Sequence, residues 1–142
     1  MKNLLKNIAI PLIMGIFIGI IISPFMNYQN ISKPLFSPPG IIFPIAWTIL
    51  YILMGISFYL QNNKNKEIYY TNLIINGIWP IIFFIFKWYL FALIWIIILL
   101  IIVVIMIYKF YKVNKISAYI NIPYIIWLLF ASYLTYGIYI LN

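Results

Sequence analysis

The chain contains no cysteine and no histidine, and Glu67 is its only acidic residue. The first absence removes disulfides and thiolate nucleophiles. The second removes histidine as a metal ligand, so the usual zinc sites and histidine-ligated haem are excluded. A single carboxylate permits neither a paired-acid mechanism nor a Ser–His–Asp triad. No acid lies inside an apolar run, which excludes a carboxylate proton relay or ion-coupling site. Charge of any kind is scarce, at 7% of 142 residues.

What fills the chain is apolar. Hydrophobic residues make up 67% and aromatic residues 20%, and the mean hydropathy is +1.11. A soluble domain of this length needs a far more polar surface, so the solvent is the lipid bilayer. The formal net charge of +8 does not point to nucleic acid, because the lysines are scattered between apolar runs and form no basic face. They read as topology signals and headgroup contacts. The abundance of Ile, Asn, Lys and Tyr is that of AT-rich coding in a low-GC bacterium.

Five runs are long enough to cross a hydrocarbon core, which takes about 20 helical residues. They cover residues 8–26, 41–60, 68–86, 88–108 and 116–141. The fold class expected is therefore an all-α membrane protein, a compact single-domain bundle of five transmembrane helices. No run alternates with period two, so a β-barrel is not expected. Pro44, Pro80 and Pro123 lie inside runs, where membrane helices tolerate them. Lys87 alone marks the third joint, so spans three and four form a tight hairpin. Lys2 and Lys6 before the first run give it the look of a secretory leader. It is too long for one and no small-x-small cleavage site follows, so a retained helix is expected. Lys2, Lys6, Lys64, Lys66, Lys109, Lys112 and Lys115 fall on one side, and Lys33 and Lys87 on the other. That bias puts the N-terminus in the cytoplasm and the C-terminus outside, in a bacterial plasma membrane.

The first joint, residues 27–40, is the longest and holds Pro34, Pro38 and Pro39. Proline fixes φ and biases the residue before it toward extended backbone. Such a loop has little entropy left to lose and suits a lid over a cavity. Tyr28 and Phe36 favour a lid over a plain connector.

Three spans carry aromatic stripes at helical spacing. They are Phe43, Trp47, Tyr51 and Met54-Gly55 on span two; Asn76, Trp79 and Phe83 on span three; and Pro123, Trp127, Phe130-Ala131 and Leu134 on span five. Membrane tryptophans usually mark the interface, which is the reading expected for Trp88 and also open for Trp47, near the outer end of span two. Trp79 and Trp127 lie nearer mid-span. Either they fill the core or they line a cavity for a flat guest, and chemistry alone leaves the two readings level. A mid-membrane amide such as Asn76 needs a partner on a neighbouring helix or on a ligand. The fourth span has no polar side chain between its end aromatics and is expected to face lipid on most sides. Gly15-x3-Gly19 on the first suits a helix–helix contact.

Three blocks together resemble the translocator protein family, also called tryptophan-rich sensory proteins or peripheral benzodiazepine receptors. They are Tyr28-x2-Ile31-x-Lys33-Pro34-x3-Pro38-Pro39 with Phe43-x3-Trp47-Thr48-x-Leu50-Tyr51-x2-Met54-Gly55, then Asn76-x2-Trp79-x3-Phe83-Phe84, then Pro123-Tyr124-x2-Trp127-x2-Phe130-Ala131-x2-Leu134. The resemblance implies a five-helix bundle that often forms a homodimer. It implies a pocket under the first loop for porphyrins, sterol-like lipids or synthetic aromatic drugs. Carried over by position, that pocket is lined by Tyr28, Pro39, Phe43, Trp47, Asn76, Trp79, Phe83, Trp127, Phe130 and Ala131. Asn27 and Phe36 depart from a frequent tryptophan, Ile85 from a frequent glycine and Thr135 from a usual asparagine. No Lys or Arg follows Lys115, so the sterol motif of animal members is absent and specific cholesterol recognition is not expected.

The function expected is therefore a membrane receptor or carrier for tetrapyrroles. Protoporphyrin IX or haem is the ligand, not a required cofactor, and the propionates reach toward Lys33. Two alternatives stay open: light-dependent breakdown of the bound porphyrin, with no acid, base or metal supplied by the protein, and facilitated transport of hydrophobic small molecules. A ligand-free structural bundle is the fourth.

Overall fold

The computed structural model describes residues 2–26 and 28–142. Five helices long and apolar enough to cross a membrane account for nearly all of it, and no strand occurs among the described residues. They are α1 (Lys2–Ile22), α2 (Ile42–Leu60), α3 (Lys66–Pro80) with a π-helical continuation (Ile81–Phe86), α4 (Tyr89–Tyr111), and a fifth span made of α5 (Lys115–Ile120) and α6 (Ile122–Leu141).

The differences from the expected runs have local causes. α1 starts at Lys2, six residues before the apolar run expected from residue 8, because flanking polar residues are helix-competent outside the hydrocarbon. It gives way at its far end to a 3₁₀ turn, Ser23–Phe25, because Pro24 has no N–H to continue the α pattern. Pro80 ends regular α winding in the third span, which runs on with a π turn. Lys87 then stops it in a left-handed conformation, φ 57°, and only Trp88 separates that stop from α4. The fifth span breaks at Asn121, two residues before Pro123. The Asn121 backbone N–H donates to Ala118 O, three residues back, instead of to Ser117 O, and its side chain donates to Ser57 Oγ at 2.6 Å.

The spans close a ring in the order one, two, five, four, three. Glycines set the closest approaches. A Cβ on Gly55 would stand 2.5 Å from Asn7 O and 2.6 Å from Ile8 Cα, so α1 and α2 touch backbone to backbone. At Gly77 it would meet Met14 Sδ at 3.1 Å, which seals α1 against α3. α4 buries one stripe, Ala92, Ile96, Leu99, Val103 and Met106, and exposes much of its remaining surface.

The two halves of the bundle are packed differently. In the half that holds the 61–65 and 112–114 joints the interior is solid. Phe58 stacks on Tyr69 at 4.0 Å, and Ser57 and Ser117 exchange hydrogen bonds to each other's carbonyls at 2.9 and 2.7 Å. Asn7 joins α1 to Asn63 at 2.6 Å, and Asn114 caps α5 while donating to Leu60 O. In the half beneath residues 28–40, α2 and α6 are bridged by aromatic rings, Phe43 and Trp47 on one side and Tyr124 and Trp127 on the other.

An aromatic chamber beneath the first loop

That second half encloses a cavity of about 260 Å³. Its floor is Tyr51, whose ring lies against Gly15; a Cβ there would be 2.6 Å from Tyr51 Cε2. Phe43, Pro44 and Trp47 of α2 form one wall, and Trp127, Ala131, Leu134 and Thr135 of α6 form the next. Trp79, Pro80, Phe83 and Phe84 close the third side, and Ile18, Gly19, Ile22, Ser23 and Met26 the fourth. Tyr28 is the roof. The rings meet edge to face in a chain: Tyr28 to Phe43 at 5.0 Å, Phe43 to Trp127 at 5.8 Å and Trp127 to Trp47 at 6.2 Å. That geometry suits aromatic quadrupoles and holds the rings without filling the space between them.

The roof is strapped down. Tyr28 donates its hydroxyl to Pro38 O at 2.8 Å. The Lys33 ammonium donates to Tyr28 O at 2.8 Å and stands 4.6 Å over the Tyr28 ring. Burial pushes the Tyr28 hydroxyl above the ordinary phenol value of 10.0, with the Ser37 side chain opposing the shift. It is therefore a neutral donor throughout the physiological range. Three contacts fasten the loop to α6: Pro34 seats on Gly137, Tyr133 donates to Leu35 O, and Asn142 pairs with the Ser32 backbone at 2.7 and 3.2 Å. A side chain at Gly137 would displace Pro34. Gly137→Val is expected to speed chymotryptic cleavage after the exposed Phe36 about ten-fold, the effect of about 1.4 kcal/mol on loop opening. Unchanged cleavage would show that the loop is held elsewhere.

Of the ten residues singled out from sequence, Tyr28, Phe43, Trp47, Trp79, Phe83, Trp127 and Ala131 line this chamber. Three stand outside its wall. Asn76 lies one layer below the floor, where it accepts from Tyr51 at 2.8 Å and donates to the Tyr124 hydroxyl at 2.7 Å. Tyr124 in turn donates to Asn72 at 2.6 Å. The amide thus has its partners on neighbouring helices. Phe130 packs behind Trp127, ring to ring at 5.6 Å. Pro39 is exposed and spends its carbonyl on the Ile42 N–H at the start of α2. Lys33 is committed to loop carbonyls, not aimed into the chamber. Phe36 is 79% exposed at φ 69°, a left-handed turn that throws its ring outward. Thr135 donates back to Ala131 O, so its hydroxyl is satisfied within its own helix. Asn27 lies outside the described residues.

Sequence reasoning placed nothing from the first span in the site. Gly15 and Gly19 were the available signal, read as a helix–helix contact. Gly15 makes that contact by seating Tyr51 of α2, whereas Gly19 touches no neighbouring helix and borders the chamber. The Trp127 indole nitrogen is buried with no hydrogen-bond partner among the described residues. An orphan donor in an apolar wall asks for an acceptor from a guest.

Fold and site together define a five-span helical membrane protein with an aromatic chamber under a strapped loop. Residues 7–141 match the TspO/MBR family, and the chain belongs to it. It is 38% identical over 122 residues to the tryptophan-rich protein TspO of Archaeoglobus fulgidus, covering 81% of this chain and 79% of that one. It is 29% identical to protein CrtK of Rhodobacter capsulatus, over 87% of this chain and 83% of that one. It is also 29% identical to the translocator protein homolog of Schizosaccharomyces pombe, over 99% and 93% of the two chains.

Proposed function

We propose that the protein is a membrane receptor or carrier that binds porphyrins and related flat hydrophobic molecules in the chamber under the first loop. The observation that carries this reading is the chamber itself: an apolar space walled by Trp47, Trp79 and Trp127 and roofed by Tyr28. A broad π-system gains most from rings held on several sides. The unpartnered Trp127 N–H offers one hydrogen bond to a ligand acceptor. Lys33 serves by holding the roof. The chamber lining offers iron no histidine or cysteine; the hydroxyls of Tyr51, Tyr28 and Thr135 are already bonded to Asn76, Pro38 and Ala131, and the Met26 thioether is the remaining axial candidate. Metal-free protoporphyrin IX therefore binds at least as well as haem. In this reading the lid faces the cell exterior and the N-terminus the cytoplasm, as the lysine bias requires.

Titration of the purified protein with protoporphyrin IX, followed by tryptophan quenching, tests the reading. Saturable quenching is expected, and Trp127→Phe is expected to raise Kd about ten-fold, or about 1.4 kcal/mol. Quenching that does not saturate, or an unchanged Kd in Trp127→Phe, would remove the proposal.

A further inference from the structure

The chamber is tied shut from above but not from the side. The loop is fastened to α6 at Pro34, Leu35 and Ser32. Along the seam between α1 and α3, Met14 seals against Gly77. α1 and α3 run in the same direction, so the next turns toward the lid bring Gly19 opposite Pro80 and Phe84. The seal fails there. Gly19 is exposed, and a Cβ built on it meets nothing within 4 Å, unlike one at Gly15, Gly55, Gly77 or Gly137. Gly19 is also part of the chamber wall. The same residue is thus both chamber lining and outer surface. Around it α1 presents Ile16, Phe17 and Ile20, each more than 60% exposed. The chamber is therefore continuous with the face the helix turns to lipid.

We propose that the chamber opens into the bilayer through a portal between α1 and α3 at Gly19, and that a phospholipid acyl chain enters it when no other guest is bound. The chemistry selects the occupant. The lining is almost wholly apolar, the opening is flanked by the exposed apolar Ile16, Phe17 and Ile20, and a void walled by side chains forfeits dispersion contacts that a methylene chain restores. Water gains little there because few polar groups would receive it. A porphyrin dissolved in the membrane would use the same door, and that corollary alone rests on the function proposed above.

The test uses the full chain with Trp88→Phe and Trp95→Phe, which leaves only Trp47, Trp79 and Trp127, all in the chamber wall. The protein is reconstituted in phosphatidylcholine with brominated acyl chains, and its fluorescence is compared with that in the unbrominated lipid. Quenching is expected, and Gly19→Phe, which plugs the portal, is expected to cut it by about half. Tyr133→Phe, which loosens the lid strap, is expected to leave it unchanged. Ser23→Phe narrows the same opening and serves if Gly19→Phe does not fold. Equal quenching in the parent and in the plugged variant that folds, or none in the parent, overturns the portal. Protoporphyrin IX added to the unbrominated vesicles gives a separate arm, in which the plugged variant is expected to associate several-fold more slowly. If the lipid arm responds to the plug while no porphyrin binds, the portal stands and the tetrapyrrole reading falls.

Discussion

Gly55→Leu is expected to unseat the first span and to cost roughly 3 kcal/mol or more of stability. The neighbours a side chain would meet are backbone atoms, Asn7 O at 2.5 Å, Ile8 Cα at 2.6 Å and Asn7 C at 2.7 Å. A flexible side chain can rotate away from an intruding methyl; a helix backbone moves only as a whole. In lipid, no hydrophobic effect presses helices together, so close backbone approach and its dispersion contacts carry much of their association. Separating α1 from α2 at this point would also pull Asn7 from Asn63 and lift Gly15 from the Tyr51 ring. Gly19→Leu is the matched control: it is the same change on a helix glycine with open space beyond. It should be neutral or slightly stabilising, by up to about 1 kcal/mol from helix propensity. Denaturation in mild detergent, followed by loss of the folded peak in size exclusion, measures both. A Gly55→Leu protein as stable as the parent would mean that the α1–α2 contact is not a backbone seam.

Asn76→Leu carries the second large effect, expected at about 2 kcal/mol. Leucine keeps nearly the same volume, so the loss is polar. Asn76 joins α2 to α6 through the Tyr51 and Tyr124 hydroxyls. Without it Tyr124 still donates to Asn72, but the Tyr51 hydroxyl is left in a dry interior. Membrane polar contacts average only about 0.6 kcal/mol when the freed groups find new partners. Tyr51 is denied that escape, because its ring is stacked 5.7 Å from Trp47 and held against Gly15. Tyr51→Phe removes the stranded hydroxyl, so the double variant Tyr51→Phe/Asn76→Leu should lose less than the sum of the two single losses. The cycle also separates two roles for Asn76. If it acts on the guest through the Tyr51 floor, its substitution should weaken protoporphyrin binding much less in the Tyr51→Phe background. Additive losses of stability across the cycle would show that the two side chains are not coupled.

Much of this molecule was open to reading before any coordinates. Five spans follow from run length, because the hydrocarbon thickness sets how many helical residues are needed. The tight joint at Lys87 follows from the near-continuity of two runs. The aromatic stripes of α2 and α6 follow from helical period, since residues three and four apart share a face whatever lies opposite. The third stripe was legible through Trp79 and Phe83, but the change of winding after Pro80 also brings Phe84 into the wall, which a strict α-helical period does not give. Asn76 shows the limit of the argument. Period puts it on the face of Trp79, but period does not give depth, and depth decides whether an amide meets a guest or a neighbouring tyrosine. Phe36 shows another. An aromatic residue in a proline-rich loop reads as a lid contact, yet one left-handed backbone angle turns it outward.

The sequence by itself determined the solvent, the number of spans, the stiff first loop, the lack of any thiol or imidazole and the lack of an acid inside a span. These are sums and local patterns, and they need no knowledge of neighbours. Only the tertiary structure decided that one half of the bundle is solid and the other hollow, and that α1 supplies a wall. Gly15 and Gly19 sit on the same helix one turn apart and are chemically identical. One receives a tyrosine ring and the other faces open space, because what a glycine does depends on how far away the next helix stands. That distance is set by side chains remote in the chain, Met14 against Gly77 and the Asn7 backbone against Gly55, which meet only when the ring of helices closes.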